Sequence, residues 1–185
     1  MDQSTLYLFG GCNGAGKTTF ARAYLTAGFT TPPRFLNADE IARGLSPLSP
    51  ERIALKAGKL LLSEIDHCLK HRETFGLEST LSGHAQANIL KHAKSLGYRI
   101  EIVFLWIPSP QLAIRRIAQR VKKGGHHVPS EDVTRRYKRS LVNFVRIYAP
   151  LADRWKVWNN ADHPPSLTLS SESATLDQLR EYLLP

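Results

Sequence analysis

Near the start of the chain, Gly11-Cys12-Asn13-Gly14-Ala15-Gly16-Lys17-Thr18 matches G-x-x-x-x-G-K-[ST] at every fixed position. Glycines at this spacing let the backbone curl until the N–H groups of Gly11, Asn13, Gly14, Ala15 and Gly16 point inward at phosphate oxygens. A helix starting at the end of the loop adds about half a positive charge at the same spot. Lys17 is then placed to reach the β- and γ-phosphates, the Thr18 hydroxyl to take Mg2+, and Thr19 to close the same turn. The apolar run Thr5–Gly10 ahead of the loop and the helical run Thr19–Leu25 after it supply the strand–loop–helix setting this chemistry needs. ATP and Mg2+ are the expected cofactors.

In an open α/β sheet, ligands lie beyond the carboxyl ends of the strands. Two expected strands end there in an acid: the strand 34–37 leads into Asp39, and the strand 73–78 ends at Glu78. A carboxylate beside the γ-phosphate can orient an attacking hydroxyl and accept its proton, the role expected of Asp39. Its competing role is to cap the short helix from about residue 40. Glu78 stands to hold Mg2+ through water or to bind a substrate hydroxyl. Ser79 and Thr80 add hydroxyls to line a sugar or phosphate pocket.

Positive charge is concentrated in one segment. From Arg115 to Arg146 there are ten Lys/Arg against two acids, which is +8 of the chain's formal +9. The layout is that of a lid: helix, Gly-Gly hinge, helix. Arg116 and Arg120 lie four apart before the hinge, on one face. Arg135, Arg136 and Arg139 follow it. Closing such a lid brings arginines onto the transferring phosphoryl group and excludes water, and one of them can stack on adenine. Among these, Arg120 and Arg136 are the candidates for the catalytic charge, Arg116 and Arg120 for ATP, and Arg135 with His127 for substrate. A His126-His127 metal site has no Cys or carboxylate at ligand spacing. A nucleic-acid backbone is the rival partner for this segment, but only Tyr137 supplies an aromatic ring there and it falls on the core side.

These residues must be held by alternating strands and helices. That pattern predicts an α/β three-layer fold with a parallel five-stranded sheet, order 2-3-1-4-5, and helices on both faces. Ser49-Pro50 is expected to open a long helix with Ser49 as its cap, and Ser130 to cap the helix running to Tyr148. The whole chain, 1–185, reads as one domain, with a lid at 115–146 and a C-terminal appendage at 164–185 holding a short β-like segment and a helix. No apolar run approaches the ~20 residues of a membrane span, and the first residues lack the basic-then-apolar order of a signal peptide. Two cysteines make no disulfide framework. A reducing cytoplasm is the expected compartment.

Taken in order, the glycine loop, Leu36-Asn37-Ala38-Asp39-Glu40-Ile41, Gly76-Leu77-Glu78-Ser79-Thr80-Leu81-Ser82 and Gly124-Gly125-His126-His127-Val128-Pro129 resemble the zeta toxin family of P-loop kinases, in its compact bacterial branch. The resemblance runs from about Thr5 to Asn160. It implies a nucleotide-kinase-like sheet, ATP and Mg2+ on Lys17 and Thr18, Asp39 as the base that deprotonates a sugar hydroxyl, and Glu78 in contact with substrate. It also implies phosphorylation of UDP-N-acetylglucosamine or a related nucleotide sugar, and a restraining antitoxin partner. Where those toxins carry a lid arginine just before a proline, this chain has His127-Val128-Pro129, so Arg120, Arg135 or Arg136 must supply that charge. Two rival readings of the residues remain: a polynucleotide or RNA-end kinase, and an ATPase switch without an acceptor.

Overall fold

A computed structural model describes residues 3–122, 124–125 and 128–184. The chain runs β1 (Thr5–Gly10), α1 (Lys17–Gly28), β2 (Arg34–Leu36), α2 (Ala38–Leu45), a 3-10 turn at Pro50–Ile53, α3 (Ala54–Lys70), β3 (Phe75–Ser79), α4 (Ala85–Ser95) and β4 (Arg99–Trp106). It continues through α5 (Pro110–Lys122), α6 (Ser130–Asn143), a π turn at Phe144–Tyr148, a 3-10 turn at Ala149–Leu151, β5 (Arg154–Asn159), β6 (Ser166–Ser170) and α7 (Leu176–Leu183). Among the described residues, no helix is long and apolar enough to cross a membrane.

The sheet order is β2-β3-β1-β4-β5-β6, so the expected 2-3-1-4-5 order holds for the five parallel strands. The sheet is larger than expected by one strand. β6 pairs antiparallel with β5, with a register shift between Val157 and Trp158. The β-like segment in the tail therefore covers what would have been an open edge of β5, a place where unpaired N–H and C=O groups invite association.

Parallel strands covered on both faces read as continuous apolar runs, and the two central strands do. On one face, Leu6, Leu8, Ile100, Ile102 and Phe104 pack with Phe144 and Tyr148; on the other, Phe9, Val103 and Leu105 pack with Ala21, Leu25 and Ile117. Each large side chain buried in this way contributes about 1.5–3 kcal/mol. The Phe104 and Phe144 rings stack at 4.2 Å between centroids.

Two expected caps are absent. Pro50–Ile53 forms a 3-10 turn in which the Arg52 N–H donates to the Ser49 carbonyl at 3.2 Å, and the Ser49 side chain caps nothing. The tight i→i+3 bonding there uses the Ser49 backbone instead of its hydroxyl. Pro129, not Ser130, occupies the cap position of α6, and the Ser130 carbonyl accepts from the Thr134 hydroxyl. The α6 helix also does not run regularly to Tyr148 but widens into the π turn, where side chains reach across to the segment after β3. The Asn143 amide donates to the Leu81 carbonyl at 2.8 Å, and the Tyr148 hydroxyl to the Gly83 carbonyl at 2.6 Å. These two bonds fix the loop that leaves Glu78, in which Leu81 adopts φ 55°. Tyr148→Phe removes the donor and strands a carbonyl, so it is expected to lower stability by ~1–3 kcal/mol. A urea denaturation midpoint measures this.

Candidate active site

At Gly11, Gly14 and Gly16 the loop of residues 11–16 runs so close to its neighbours that a Cβ has no room. Gly16 sits at φ 87° as the residue preceding α1, and a Cβ on it would collide with the Asn160 amide. Gly11, at φ 137°, backs onto the Leu105 carbonyl in the same way. Asn160, 4% exposed, donates from Nδ2 to the Ala15 carbonyl at 2.7 Å, while its own N–H donates to the Trp106 carbonyl at 2.9 Å. The loop is thereby tied to the end of β4 and to the residue just past β5. With no acid in its first turn, α1 points an uncompensated N-terminus into the loop.

Four side chains meet at the carboxyl ends of β1, β2 and β3. Lys17 is 7% exposed; its Nζ donates to the Cys12 carbonyl at 3.1 Å and lies 3.5 Å from Glu78 Oε1. Glu78 Oε2 accepts from the Thr18 hydroxyl at 2.8 Å and from Asn37 Nδ2 at 2.7 Å. Asn37 is the cap of α2: its Oδ1 accepts from the Asp39 N–H at 2.8 Å and the Glu40 N–H at 3.3 Å. Asp39 therefore does not cap α2, and its carboxylate stands in the first turn, exposed at the mouth of the cleft. The Ser79 hydroxyl accepts from the Leu81 N–H, and Thr80 and Ser82 share a hydroxyl contact of 2.8 Å. Burial pushes the Cys12 thiol up to about 11, so beneath the loop it stays protonated at neutral pH.

These groups line one cleft of about 870 Å³. Its floor is the loop end and the first turn of α1: Asn13, Gly14, Gly16, Lys17, Thr18 and Thr19. One wall carries Asn37, Asp39, Arg43, Glu78, Ser79 and Thr80. The other is built from α5, the end of β5 and the segment after it, with Arg116, Arg120, Trp158, Asn160, His163 and Pro165. Arg116 donates to the Ala161 carbonyl at 2.7 Å, which joins those two elements. Most of the site residues expected from sequence thus gather in this one place. Gly11 and Ala15 lie buried behind the floor. Arg135 and Arg136 are not brought to the cleft: Arg135 pairs with Asp132 at 2.7 Å, and Arg136 lies 4.0 Å from the same carboxylate. His127 lies outside the described residues, as does His126.

Sequence reasoning missed Asn37, Asn160 and Trp158. Asn37 carried a signal in being a cap-type residue directly before Ala-Asp-Glu. Asn160 lay at a strand end, but only acids were sought there. Trp158 is half-buried against the core, packs on Phe20 at 5.0 Å between ring centroids and lines the cleft.

A family profile described as an AAA domain matches residues 6–143. An uncharacterized protein of Haemophilus influenzae is 29% identical over 135 residues, which is 73% of this chain and 94% of that protein. A structure from the PezAT chromosomal toxin–antitoxin system of Streptococcus pneumoniae superposes with a TM-score of 0.73 at 19% identity, over 98% of this chain and 78% of that one. The AvrRxo1-ORF1:ORF2 structure with ATP superposes with a TM-score of 0.70 at 17% identity, over 98% of this chain and 63% of that one. At these identities the two superpositions speak for the fold, and the fold is the α/β P-loop kinase architecture that the resemblance to zeta toxins implied.

Proposed function

Because this chain belongs to the AAA domain family, its profile spanning residues 6–143, we propose that it is an ATP-dependent phosphotransferase acting on a hydroxyl of a small molecule. One observation supports this above the others. Lys17, Thr18, Glu78 and Asp39 face a single cleft of about 870 Å³, roomy enough for an acceptor beside the phosphates as well as the nucleotide.

The donor set suits Mg2+, a hard cation that takes oxygen ligands and keeps several waters. The Thr18 hydroxyl and the Glu78 carboxylate, 2.8 Å apart, would hold the ion between them. Bound there, Mg2+ would supply positive charge against that of the nucleotide phosphates. Lys17 leaves the Cys12 carbonyl to meet the γ-phosphate. Asp39 accepts the proton as the acceptor oxygen bonds to the γ-phosphorus and ADP departs. Arg116 and Arg120 line the cleft for the nucleotide, and closing of a lid over it would bring Arg135 and Arg136 to the transferring group.

A nucleotide sugar such as UDP-N-acetylglucosamine is the acceptor we propose, on the family resemblance, with an antitoxin as the restraining partner and the cytoplasm as the site of action. Incubating the protein with ATP, Mg2+ and a panel of nucleotide sugars, nucleosides and oligonucleotides tests this by mass spectrometry. One added phosphate on a nucleotide sugar is expected. Phosphate on oligonucleotides alone moves the acceptor to nucleic-acid ends. Hydrolysis of ATP that no acceptor accelerates overturns phosphotransfer.

A further inference from the structure

We propose that Asn37 is a positioning residue that locks the metal-side carboxylate and the base-bearing helix into one unit; the inference rests on the phosphotransferase reading of this cleft. Asn37 is 7% exposed, and both ends of its amide are used. Nδ2 donates to Glu78 Oε2 at 2.7 Å. Oδ1 receives the N–H of Asp39 at 2.8 Å and of Glu40 at 3.3 Å. Chemistry fixes this orientation of the amide, because a backbone N–H only donates and an ionised carboxylate only accepts.

The choice of residue type carries the argument. A helix cap alone is served equally by Asn, Asp or Ser. Of these, only Asn offers an N–H to a second partner while its oxygen caps. Asp would set a second anion against Glu78, and Ser is too short to bridge both sides. The position therefore asks for an acceptor facing α2 and a donor facing β3, and Asn meets both demands with one planar group.

The same Glu78 oxygen also receives the Thr18 hydroxyl at 2.8 Å, and the other lies 3.5 Å from Lys17 Nζ. Thr18 and Lys17 from α1 meet Glu78 from β3, and Asn37 joins that carboxylate to the Asp39 and Glu40 N–H groups of α2. Displacing Glu78 shifts the groups that meet phosphate and metal. Displacing the start of α2 shifts Asp39. Partners of this kind, which orient the groups in contact with a metal, change affinity or activity by about 10–100-fold when removed.

Asn37→Ser and Asn37→Asp keep a cap on α2 and remove the donor to Glu78; Asn37→Ala removes both. Three measurements are made on the full chain: thermal melting, steady-state transfer to the acceptor found in the panel, and calorimetric affinity for ATP with Mg2+ and with EDTA. In Asn37→Ser, the melting temperature is expected to fall by about 2–12 °C as Glu78 loses a buried partner, the protein staying folded at the assay temperature. Its kcat is expected to fall about 10–100-fold and its affinity for Mg·ATP about tenfold, with the KM for Mg·ATP rising in step, while ATP in EDTA binds as in wild type. Asn37→Asp is expected to lose more than Asn37→Ser, because it adds a like charge at 2.7 Å from Glu78. Wild-type kcat and wild-type Mg·ATP affinity in Asn37→Ser overturn the inference and leave Asn37 a helix cap. If wild type transfers phosphate to no acceptor, the phosphotransferase reading falls, and the Mg·ATP comparison still decides the role of Asn37.

Discussion

Lys17→Ala is expected to abolish phosphoryl transfer, lowering kcat/KM by about a thousandfold or more, on the order of 4 kcal/mol of transition-state stabilisation. The lysine is the cation at the mouth of the glycine loop that is almost wholly enclosed, 7% exposed, and it is already aimed: its ammonium lies between the Cys12 carbonyl and Glu78. A phosphoryl group in flight spreads negative charge over its equatorial oxygens, and a cation held in an enclosed site stabilises that charge more strongly than one in water. Lys17→Arg should not rescue the reaction. Guanidinium keeps the charge, but its planar fork presents its donors in a different geometry from the point-like ammonium that Lys17 holds between the Cys12 carbonyl and Glu78. Stability moves in the same variant, because Glu78 loses a counter-charge while keeping its bonds to Thr18 and Asn37. That loss is expected at ~1–3 kcal/mol. Steady-state kinetics beside a melting curve separates the two effects. Transfer within tenfold of wild type in a folded Lys17→Ala protein would remove Lys17 from the chemistry.

The glycine loop, the parallel strand order and the two strand-end acids were legible because each rests on a short-range pattern. A loop motif is eight residues long, and a buried parallel strand such as Ile102–Trp106 is an unbroken apolar run. What stayed hidden depended on contacts between distant segments. Nothing local to Asn160 says that its amide reaches Ala15, 145 positions away, to hold the loop. Asn37 could be read as a cap, but its second bond to Glu78 spans 41 positions. The β-like segment of the tail was legible, but its place as a sixth strand was not, for a related reason: Ser166–Ser170 is mostly exposed, and its pairing depends on the distant edge of β5. The basic segment was visible as charge, yet charge does not say where side chains turn. Asp132 takes Arg135 and Arg136 to itself along α6, whereas Arg116 and Arg120 on α5 line the cleft.

Asp39→Asn should separate catalysis from binding and from folding in one variant. The sequence offers Asp39 two competing roles, cap and base, and the cap belongs to Asn37, whose Oδ1 takes the N–H groups of Asp39 and Glu40. A cap substitution costs about 0.5–2 kcal/mol. Removing a charge from the first turn of a helix costs only ~0.3–1 kcal/mol at an exposed site. Asp39→Asn is therefore expected to melt close to wild type. The carboxylate also makes no part of the loop that cradles phosphate, so affinity for ATP should change less than about twofold. What it loses is the acceptor for the proton of the attacking hydroxyl, and general-base removal slows such reactions by about 10²–10⁴-fold. The expected result is a kcat lowered by that factor in a protein that binds ATP and unfolds almost as before. Wild-type turnover in Asp39→Asn would instead put the base elsewhere, and Glu78, the other strand-end acid of the cleft, is engaged by Thr18, Asn37 and Lys17 and poorly free to serve. A joint loss of turnover and ATP affinity would mean that Asp39 acts on the nucleotide side. The split between kcat and ATP affinity thus reports which half of the cleft the Asp39 carboxylate faces.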